Sequence, residues 1–398
     1  MIKIRPAIIG VGRTSFGEHY EEEPQKLMDE AGIAALDSAN ISRKDIDACY
    51  CSDYFLQLTN KIGLEEGFLS ELLELHIPME KLRSFGSALL NACCAIKSGK
   101  YDIILVSGVE KMCDRWSKIR DDLMLLEDPW SYYAGCTPEA NHELLLREYI
   151  RKYHIKGGEL EKFNVALAQI AVKNHYNATK NKYAQYRRPI KLEAVLAKRS
   201  KGKPLGLYDF APISDGATAL ILANPEKIDA GSVDPVYVEG SSSSTDYITF
   251  SSREVRTGFL ARQTAMNRAL EEAGISQRDI QLAELYDQST ILELVSLEDL
   301  GFAEPGKAWM DVYNSCEDYK GYYEINGQII FVNTNGGLKA DGNPLGATGG
   351  AQFFEVFQQL RGEAGERQID VDGDLEYACV SELEGFGTKS YIHIQRRE

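Results

Sequence analysis

Residues 333–350 read Asn-Thr-Asn-Gly-Gly-Leu-Lys-Ala-Asp-Gly-Asn-Pro-Leu-Gly-Ala-Thr-Gly-Gly and contain six glycines and a proline. An apolar, strand-like run precedes them at 329–332, and a helix-like segment follows at 351–362. Glycines let a backbone approach a ligand or another chain closely, and the start of a helix directs free amides toward an anion or a polarised oxygen. The stretch therefore predicts an oxyanion site at a helix start. Without further information, a glycine-rich turn between a strand and a helix is the simpler interpretation.

Residues 342–349, Gly-Asn-Pro-Leu-Gly-Ala-Thr-Gly, resemble the thiolase signature Gly-His-Pro-x-Gly-x-Ser/Thr-Gly. A Gln-Leu-Arg-Gly helix end follows at 359–362, as in that superfamily. The resemblance extends over nearly the whole chain and is closest to archaeal and sterol-carrier-type thiolases. The departure is Asn343, which stands where the signature has histidine.

Composition restricts the possible partners and compartment. The chain has 60 acidic and 44 basic residues among 398, a net charge of −16, which argues against nonspecific binding to nucleic acid or to anionic membranes. No apolar run approaches the roughly 20 residues of a membrane span, and residues 1–6 lack a signal-peptide core. Eight scattered cysteines lack Cys-x-x-Cys spacing, so we expect free thiols, no metal site and a cytoplasmic protein.

Two internal repeats predict a duplicated fold. The helix end and strand start at 35–46 recur at 269–280, and 86–99 resembles 349–362. The thiolase resemblance implies an α/β fold with two βαβαβαββ halves in a five-layered α/β/α/β/α sandwich. It implies an N-terminal half from residues 1–112 and 205–230, a loop domain at 113–204 that covers coenzyme A, and a C-terminal half at 231–398.

The usual thiolase nucleophile is missing from the sequence. The resemblance places a cysteine at the start of the first central helix, at Leu82 or Arg83, with the register open by about one residue, and Ser84 is not cysteine either. Cys93 and Cys94 lie about ten residues farther, roughly 15 Å along a helix, so we expect both to be buried core residues.

The usual imidazole is also missing from both motif positions. None of the six histidines lies in the 342–349 loop, and Tyr286-Asp287-Gln288-Ser289 stands where sterol-carrier-type thiolases have His-Asp-Cys-Phe. One hypothesis is acyl-CoA carbon–carbon chemistry of retro-Claisen or retro-aldol type with Tyr286 as acid/base, since thiolase-like aldolases are similar in having tyrosine there. The other is a catalytically degenerate subunit that supports or regulates an active partner. Tyr286 would then be a strand-end tyrosine and Asn343 a turn residue.

The resemblance also suggests further site residues. Asn343 could donate to the thioester oxygen beside amides of the loop glycines Gly346, Gly349 and Gly385. Glu382 and Glu384 are candidate acid/base groups or simply solvated turn acids. Candidate phosphate contacts for CoA are basic residues that could also be solvated surface charges: Arg187, Arg188, Lys198, Arg199, Lys201, Lys203, Arg253 and Arg256.

The implied partners follow from the same resemblance. Acyl-CoA would be the substrate, with coenzyme A as part of it, and no cofactor would be bound covalently. A homodimer would form through a strand of the N-terminal half. A small zinc-ribbon/OB-fold protein would be a separate partner, because this chain carries no such module.

Overall fold

The computed structural model describes residues 4–115, 117–199, 204–228, 234–315, 321–371 and 373–398. The strands are β1 Ala7–Arg13, β2 Ala48–Ser52, β3 Met79–Leu82, β4 Ile103–Lys111, β5 Asp215–Ala223, β6 Val236–Thr245, β7 Ile280–Leu285, β8 Tyr322–Ile325, β9 Gln328–Val332, β10 Tyr377–Glu384 and β11 Lys389–Arg397. The helices are α1 Pro24–Ala39, α2 Leu56–Thr59, α3 Glu65–Leu73, α4 Phe85–Lys97, α5 Ile119–Leu123, α6 Pro129–Tyr133, α7 Pro138–Lys152, α8 Gly158–Ala178, α9 Leu192–Ala197, α10 Leu260–Ala273, α11 Thr290–Asp299, α12 Ala308–Ser315, α13 Gly337–Ala340 and α14 Leu345–Leu360.

The sheet repeats one strand order twice. Its order is β3-β2-β4-β5-β1-β6-β11-β10-β7-β9-β8. In the first half, β3, β2 and β4 are parallel, and β5 and β1 follow them antiparallel. The second half repeats this pattern from the other side of the sheet, with β9, β7 and β10 parallel and β11 and β6 antiparallel. A short β1–β6 pairing joins the halves. The predicted duplication into two α/β halves is therefore confirmed.

Side chains alternate between the two faces of the sheet, and this alternation explains how helices cover both faces. Ile104 and Val106 of β4 face the central cluster that contains α4 and α14, whereas Leu105 faces the outer cluster that contains α1. On β10, Val380 faces the central helices and Cys379 faces the opposite outer core, where α10 and α11 pack. Because side chains alternate between sheet faces, each sheet half is covered on both sides and the two central helices are enclosed.

The sequence repeat at 35–46 and 269–280 has the same local structure twice. α1 ends at Asn40 and α10 at Gly274, both with left-handed backbone, φ 53° and 71°. Short 3₁₀ turns with capping boxes follow at Arg43–Asp45 and Gln277–Asp279. Asn and Gly adopt this conformation at least cost, so the shared sequence encodes a shared helix stop.

Cysteine placement differs in part from expectation. Cys93 is buried in the central core, as predicted, but Cys94 is exposed, so its assignment to the core is wrong. Adjacent helical residues point about 100° apart, so one of the two must leave the face that packs on the sheet. In the described ranges, no helix is long and apolar enough to cross a bilayer.

Gly350 allows the central helices to approach the sheet closely. A Cβ there would lie 2.0 Å from Thr218 Oγ1 and 2.7 Å from Phe85 Cε2. We expect Gly350→Ala to lower the free energy of unfolding by about 1–3 kcal/mol, because neighbouring groups must shift to accept the methyl group. Urea denaturation followed by circular dichroism measures this change.

Gly32→Ala is the matched control, since Gly32 lies inside α1 and a Cβ there meets nothing within 4 Å. This substitution should stabilise the protein by up to about 1 kcal/mol. Equal stability of Gly350→Ala and wild type would show that the central packing is looser than the structure indicates.

Candidate active site

The two central helices begin at the same buried place. Ser84 caps α4 and its Oγ accepts from the amide of Ser87, and α14 begins after Pro344. Gly342 precedes α14 with φ 125°, and the amide of Asn343 donates to Ser214 Oγ at 2.9 Å. The glycine and this hydrogen bond hold the 342–344 turn against the sheet.

Buried carboxylates occupy both helix starts. Glu382 of β10 accepts from the Gly86 amide of α4 at 2.5 Å, and Glu110 of β4 accepts from the Gly346 amide of α14 at 3.2 Å. A Cβ on Gly349 would lie 2.4 Å from Glu382 Oε2, so this glycine makes room for the carboxylate. The expected oxyanion role of Gly346 is therefore corrected, because its amide already has a protein acceptor.

The two carboxylates retain protons at neutral pH. Burial raises the pKa of Glu382 to about 8, against the opposing effect of the Gly86 amide. Burial also raises the pKa of Glu110 to about 8, and the neighbouring Asp53 adds to the increase. The site thus contains proton donors where a solvated loop would hold carboxylate anions.

The expected nucleophile position contains no thiol. Leu82 ends β3, Arg83 is exposed, and Ser84 Oγ donates to Glu384 Oε1 at 2.7 Å. The next residue, Phe85, is fully buried and packs on Phe353 with ring centroids 5.9 Å apart. A serine bound to a carboxylate and a buried phenyl ring therefore occupy the start of α4.

Glu384 is a buried polar anchor. It lies on β10, is 4% exposed, and also accepts from the Tyr391 hydroxyl at 2.9 Å. The interpretation of Glu382 and Glu384 as solvated turn acids is therefore wrong. β10 extends through Glu384, so both carboxylates point into protein before the chain turns at Gly385.

Tyr286 and Asn343 are adjacent, and their orientation can be deduced. Thr348 Oγ1 donates to Asn343 Oδ1 at 2.8 Å, so the Asn343 amide nitrogen is directed toward the Tyr286 oxygen. Burial, then Glu382 and Glu384, raises the pKa of Tyr286 well above its ordinary value, and the Asn343 hydrogen bond opposes this only in part. Tyr286 is consequently a protonated phenol at neutral pH.

Two adjoining cavities reach these residues. The smaller has a volume of about 20 Å³ and is lined by Tyr54, Leu123, Leu126, Glu127, Pro138, His142, Tyr286, Gln288, Leu345 and Gly385. The larger has about 150 Å³ and shares Leu123, Pro138, His142, Gln288 and Leu345 with it. Asn343 and the apolar side chains of Met112, Phe210, Ala211, Pro212 and Ile213 complete the larger cavity, with Arg120 and Glu139. The lining residues in the described part of the chain include no cysteine.

The cavities are also lined by polar groups to which the sequence interpretation assigned no role. His142 of α7 lines both cavities, and Gln288 lies two residues after Tyr286. Glu127 lines the smaller cavity, and burial raises its pKa to about 8. Gln288 was visible in the Tyr-Asp-Gln-Ser phrase, whereas no motif marks His142 or Glu127.

Three of the candidate CoA contacts, Arg187, Arg199 and Arg253, lie in different surroundings. Arg199 pairs with Asp209, and Arg253 is buried and donates to the backbone oxygens of Tyr247 and Phe386, so both are used within the protein. Arg187 lines a separate cleft of about 450 Å³ beside Gln358, roughly 20 Å along α14 from its start. The roles of Arg188, Lys198 and Arg256 stay predictions, and Lys201 and Lys203 lie outside the described residues. Within the described ranges, no group of three His, Cys, Asp or Glu side chains is arranged to hold a metal ion.

Comparisons with known families cover both halves of the chain. The model of the thiolase N-terminal domain matches residues 6–226, and that of the thiolase C-terminal domain-like family matches 242–397. An acetyl-CoA acetyltransferase of Methanothermobacter thermautotrophicus is 33% identical over 98% of this chain and 99% of its own. Sterol carrier protein 2 of Gallus gallus is 29% identical over 92% of this chain and 67% of its own.

Solved structures support the same fold. The Ltp2-ChsH2(DUF35) aldolase superposes with a TM-score of 0.80 at 22% identity, covering 99% of this chain and 98% of that chain. Human mitochondrial 3-ketoacyl-CoA thiolase superposes with a TM-score of 0.73 at 16% identity and covers both chains completely. At these identities the likeness concerns the fold alone.

Protonated Glu382 should make stability depend on pH. Its pKa is about 4.5 in the unfolded chain and about 8 in the fold, so between these values unfolding releases a proton. Its contribution to stability is therefore complete below about pH 4.5 and is lost as pH rises through about 8.

We expect Glu382→Gln, which removes the titration, to reduce the loss of stability between pH 6 and pH 9 in urea denaturation. Glu71→Gln, at an exposed site on α3, is the control. Identical pH slopes for Glu382→Gln and wild type would mean that Glu382 is ionised in the fold.

Proposed function

The chain belongs to the thiolase family, and from that premise we propose that it cleaves or forms a carbon–carbon bond in an acyl-CoA without a cysteine nucleophile. The observation that carries the proposal is the pairing of a protonated, buried Tyr286 with Asn343 beside a cavity. Family membership supports acyl-CoA as the substrate, with coenzyme A as part of it rather than as a bound cofactor.

The available groups favour a retro-aldol step over a retro-Claisen step. Retro-Claisen cleavage transfers an acyl group and ordinarily requires a thiolate to accept it. Retro-aldol cleavage of a 3-hydroxyacyl thioester requires a base for the hydroxyl proton, stabilisation of the thioester enolate and a proton for Cα. Ser84 and Phe85 at the start of α4 do not supply a thiolate, whereas proton donors are abundant at this site.

Tyr286 is assigned the acid role. Because its pKa is raised, the phenol keeps its proton and can donate a hydrogen bond to the enolate oxygen or a proton to Cα. Asn343 and Gln288 add amide donors to the lining of the larger cavity. In this arrangement side chains take over the oxyanion function that the sequence suggested for the Gly346 amide.

The larger cavity sets the substrate size. A volume of about 150 Å³ with Met112, Phe210 and Ile213 in its wall suits a short apolar acyl group. We therefore propose short-chain 3-hydroxyacyl-CoA thioesters as the first substrates to test.

A second candidate function is a noncatalytic subunit. The cavity next to Tyr286 has about 20 Å³, which is space for roughly one water molecule. Glu382 occupies the amides of α4, and Phe85 fills the space beside them. A site that is no longer selected for catalysis would fill in this way. The chain would then support or regulate an active partner.

Two assemblies are proposed from the family resemblance. β3 is an edge strand that pairs with β2 on one side, so its other side is available to a second copy in a homodimer. A small zinc-ribbon/OB-fold partner is supported by one similar structure, which is named for two components, Ltp2 and ChsH2(DUF35).

Tyr286→Phe tests the retro-aldol assignment. Removal of the phenol proton should reduce kcat on short-chain 3-hydroxyacyl-CoA by about 100-fold or more while KM changes little. Product aldehyde, or ketone from a 3-branched substrate, and the shortened acyl-CoA are quantified by liquid chromatography. Tyr149→Phe is the control, because this buried tyrosine of the loop domain bonds Glu298 away from the cavities.

Unchanged turnover in Tyr286→Phe would reject the tyrosine mechanism. If wild type is inactive alone but raises the turnover of an active copurifying partner, the noncatalytic function is correct instead.

The assembly proposal predicts the mass of the native protein. Light scattering of the purified 44.4 kDa chain should show a dimer, and copurification from its native host should add a small zinc-containing protein. A homodimer that binds CoA tightly and copurifies with no second protein would count against the partner.

A further inference from the structure

His142 is a buried imidazole that the loop domain places beside the candidate active site. It lies in the second turn of α7, is 3% exposed, and packs edge-to-face on Phe210 and Phe386 with centroids 5.6 and 5.1 Å away. Its Nδ1 lies 2.7 Å from Ser289 Oγ, at the start of α11. Two aromatic rings and one hydrogen bond therefore fix the orientation of the imidazole.

The ring stands between the two cavities. It lines the smaller one with Tyr286 and the larger one with Asn343. Since Ser289 engages Nδ1, Nε2 is the nitrogen left for a ligand, and no hydrogen bond between described residues uses it. A substrate oxygen in the larger cavity would lie near both His142 and the amides of Gln288 and Asn343.

Resting on the proposed function, we propose that His142 is the catalytic base of this site and accepts the proton of the substrate 3-hydroxyl group through Nε2. As that proton leaves, the oxygen forms the carbonyl of the departing aldehyde or ketone and the Cα–Cβ bond breaks. Its electron pair passes into the thioester enolate, whose oxygen accepts from Tyr286. Tyr286 or the imidazolium then delivers a proton to Cα. If Tyr286 delivers it, the His142 proton restores the phenol. The net change moves one proton from oxygen to carbon and requires no oxidant or reductant.

The surroundings suit a neutral base. Burial lowers the pKa of His142 to about 4, so its ring carries a lone pair throughout the physiological range. Ser289 Oγ can accept from Nδ1–H, which leaves the lone pair on Nε2. Glu139, three residues earlier on α7, lines the larger cavity and favours the charged form of the ring, so it would stabilise the developing imidazolium.

The same ring could be only a packing element, and the experiment separates the two roles. We expect His142→Gln to lower kcat about 100-fold or more with KM within about threefold of wild type, because a proton acceptor is lost while the binding groups remain. Added imidazole should restore part of kcat in His142→Ala, whose missing side chain leaves space for it. His175→Gln is the matched control, since His175 is also a buried loop-domain histidine but lines neither cavity.

The outcomes are distinct from those of the proposed function. If wild type cleaves no short-chain 3-hydroxyacyl-CoA, both the proposed function and this inference are wrong. If wild type is active, kcat within about threefold of wild type in His142→Gln overturns the inference alone. A loss of kcat that matches the loss of folded protein, or no response of His142→Ala to imidazole, likewise assigns His142 to packing.

Discussion

Reciprocal capping of the two central helices is the constraint on which the rest of the structure depends. Glu382, on a strand of the second half, accepts from the start of α4 in the first half, while Glu110 of the first half accepts from α14 in the second. A carboxyl group at a helix start satisfies amides that would otherwise lack partners in the core. The two halves are thereby joined through polar contacts at their centre as well as through the β1–β6 pairing.

Burial, and not the capping itself, explains why carboxyl groups of this site hold protons, because the helix amides favour the charged form. An ionised carboxylate in the core costs free energy, and burial consequently raises the pKa of Glu110, Glu382 and Glu127 toward neutrality. Burial, with Glu382, Glu384 and Glu110 nearby, likewise raises the pKa of Tyr286 above its ordinary value. An arrangement of this kind favours proton donation and hydrogen bonding over attack by an anionic nucleophile, which agrees with a proton-transfer reaction and with the absence of a thiol among the described lining residues.

The fold could be predicted because its signals are local or repeated. The 342–349 motif, the helix stops at Asn40 and Gly274, and the strand ending at Leu285 each encode their conformation within a few residues. Of the residues discussed around the cavities, only those in a motif, such as Tyr286 and Asn343, could be selected from the sequence. His142 meets Ser289 across 147 residues of chain, so no pattern in either segment announces the contact. Cys94 shows a smaller limit, because the sequence does not say which of two adjacent helical residues faces the sheet.

The sequence by itself determined the thiolase family, the duplicated halves and the replacement of the motif histidine by Asn343, since these depend on residue order. Only the tertiary structure decided that the Gly346 amide is occupied, that Glu382 and Glu384 are buried, and that His142 of α7 reaches the cavity. Hydrogen bonds and desolvation act through space, so the protonation and availability of each group depend on neighbours that the chain supplies from distant positions.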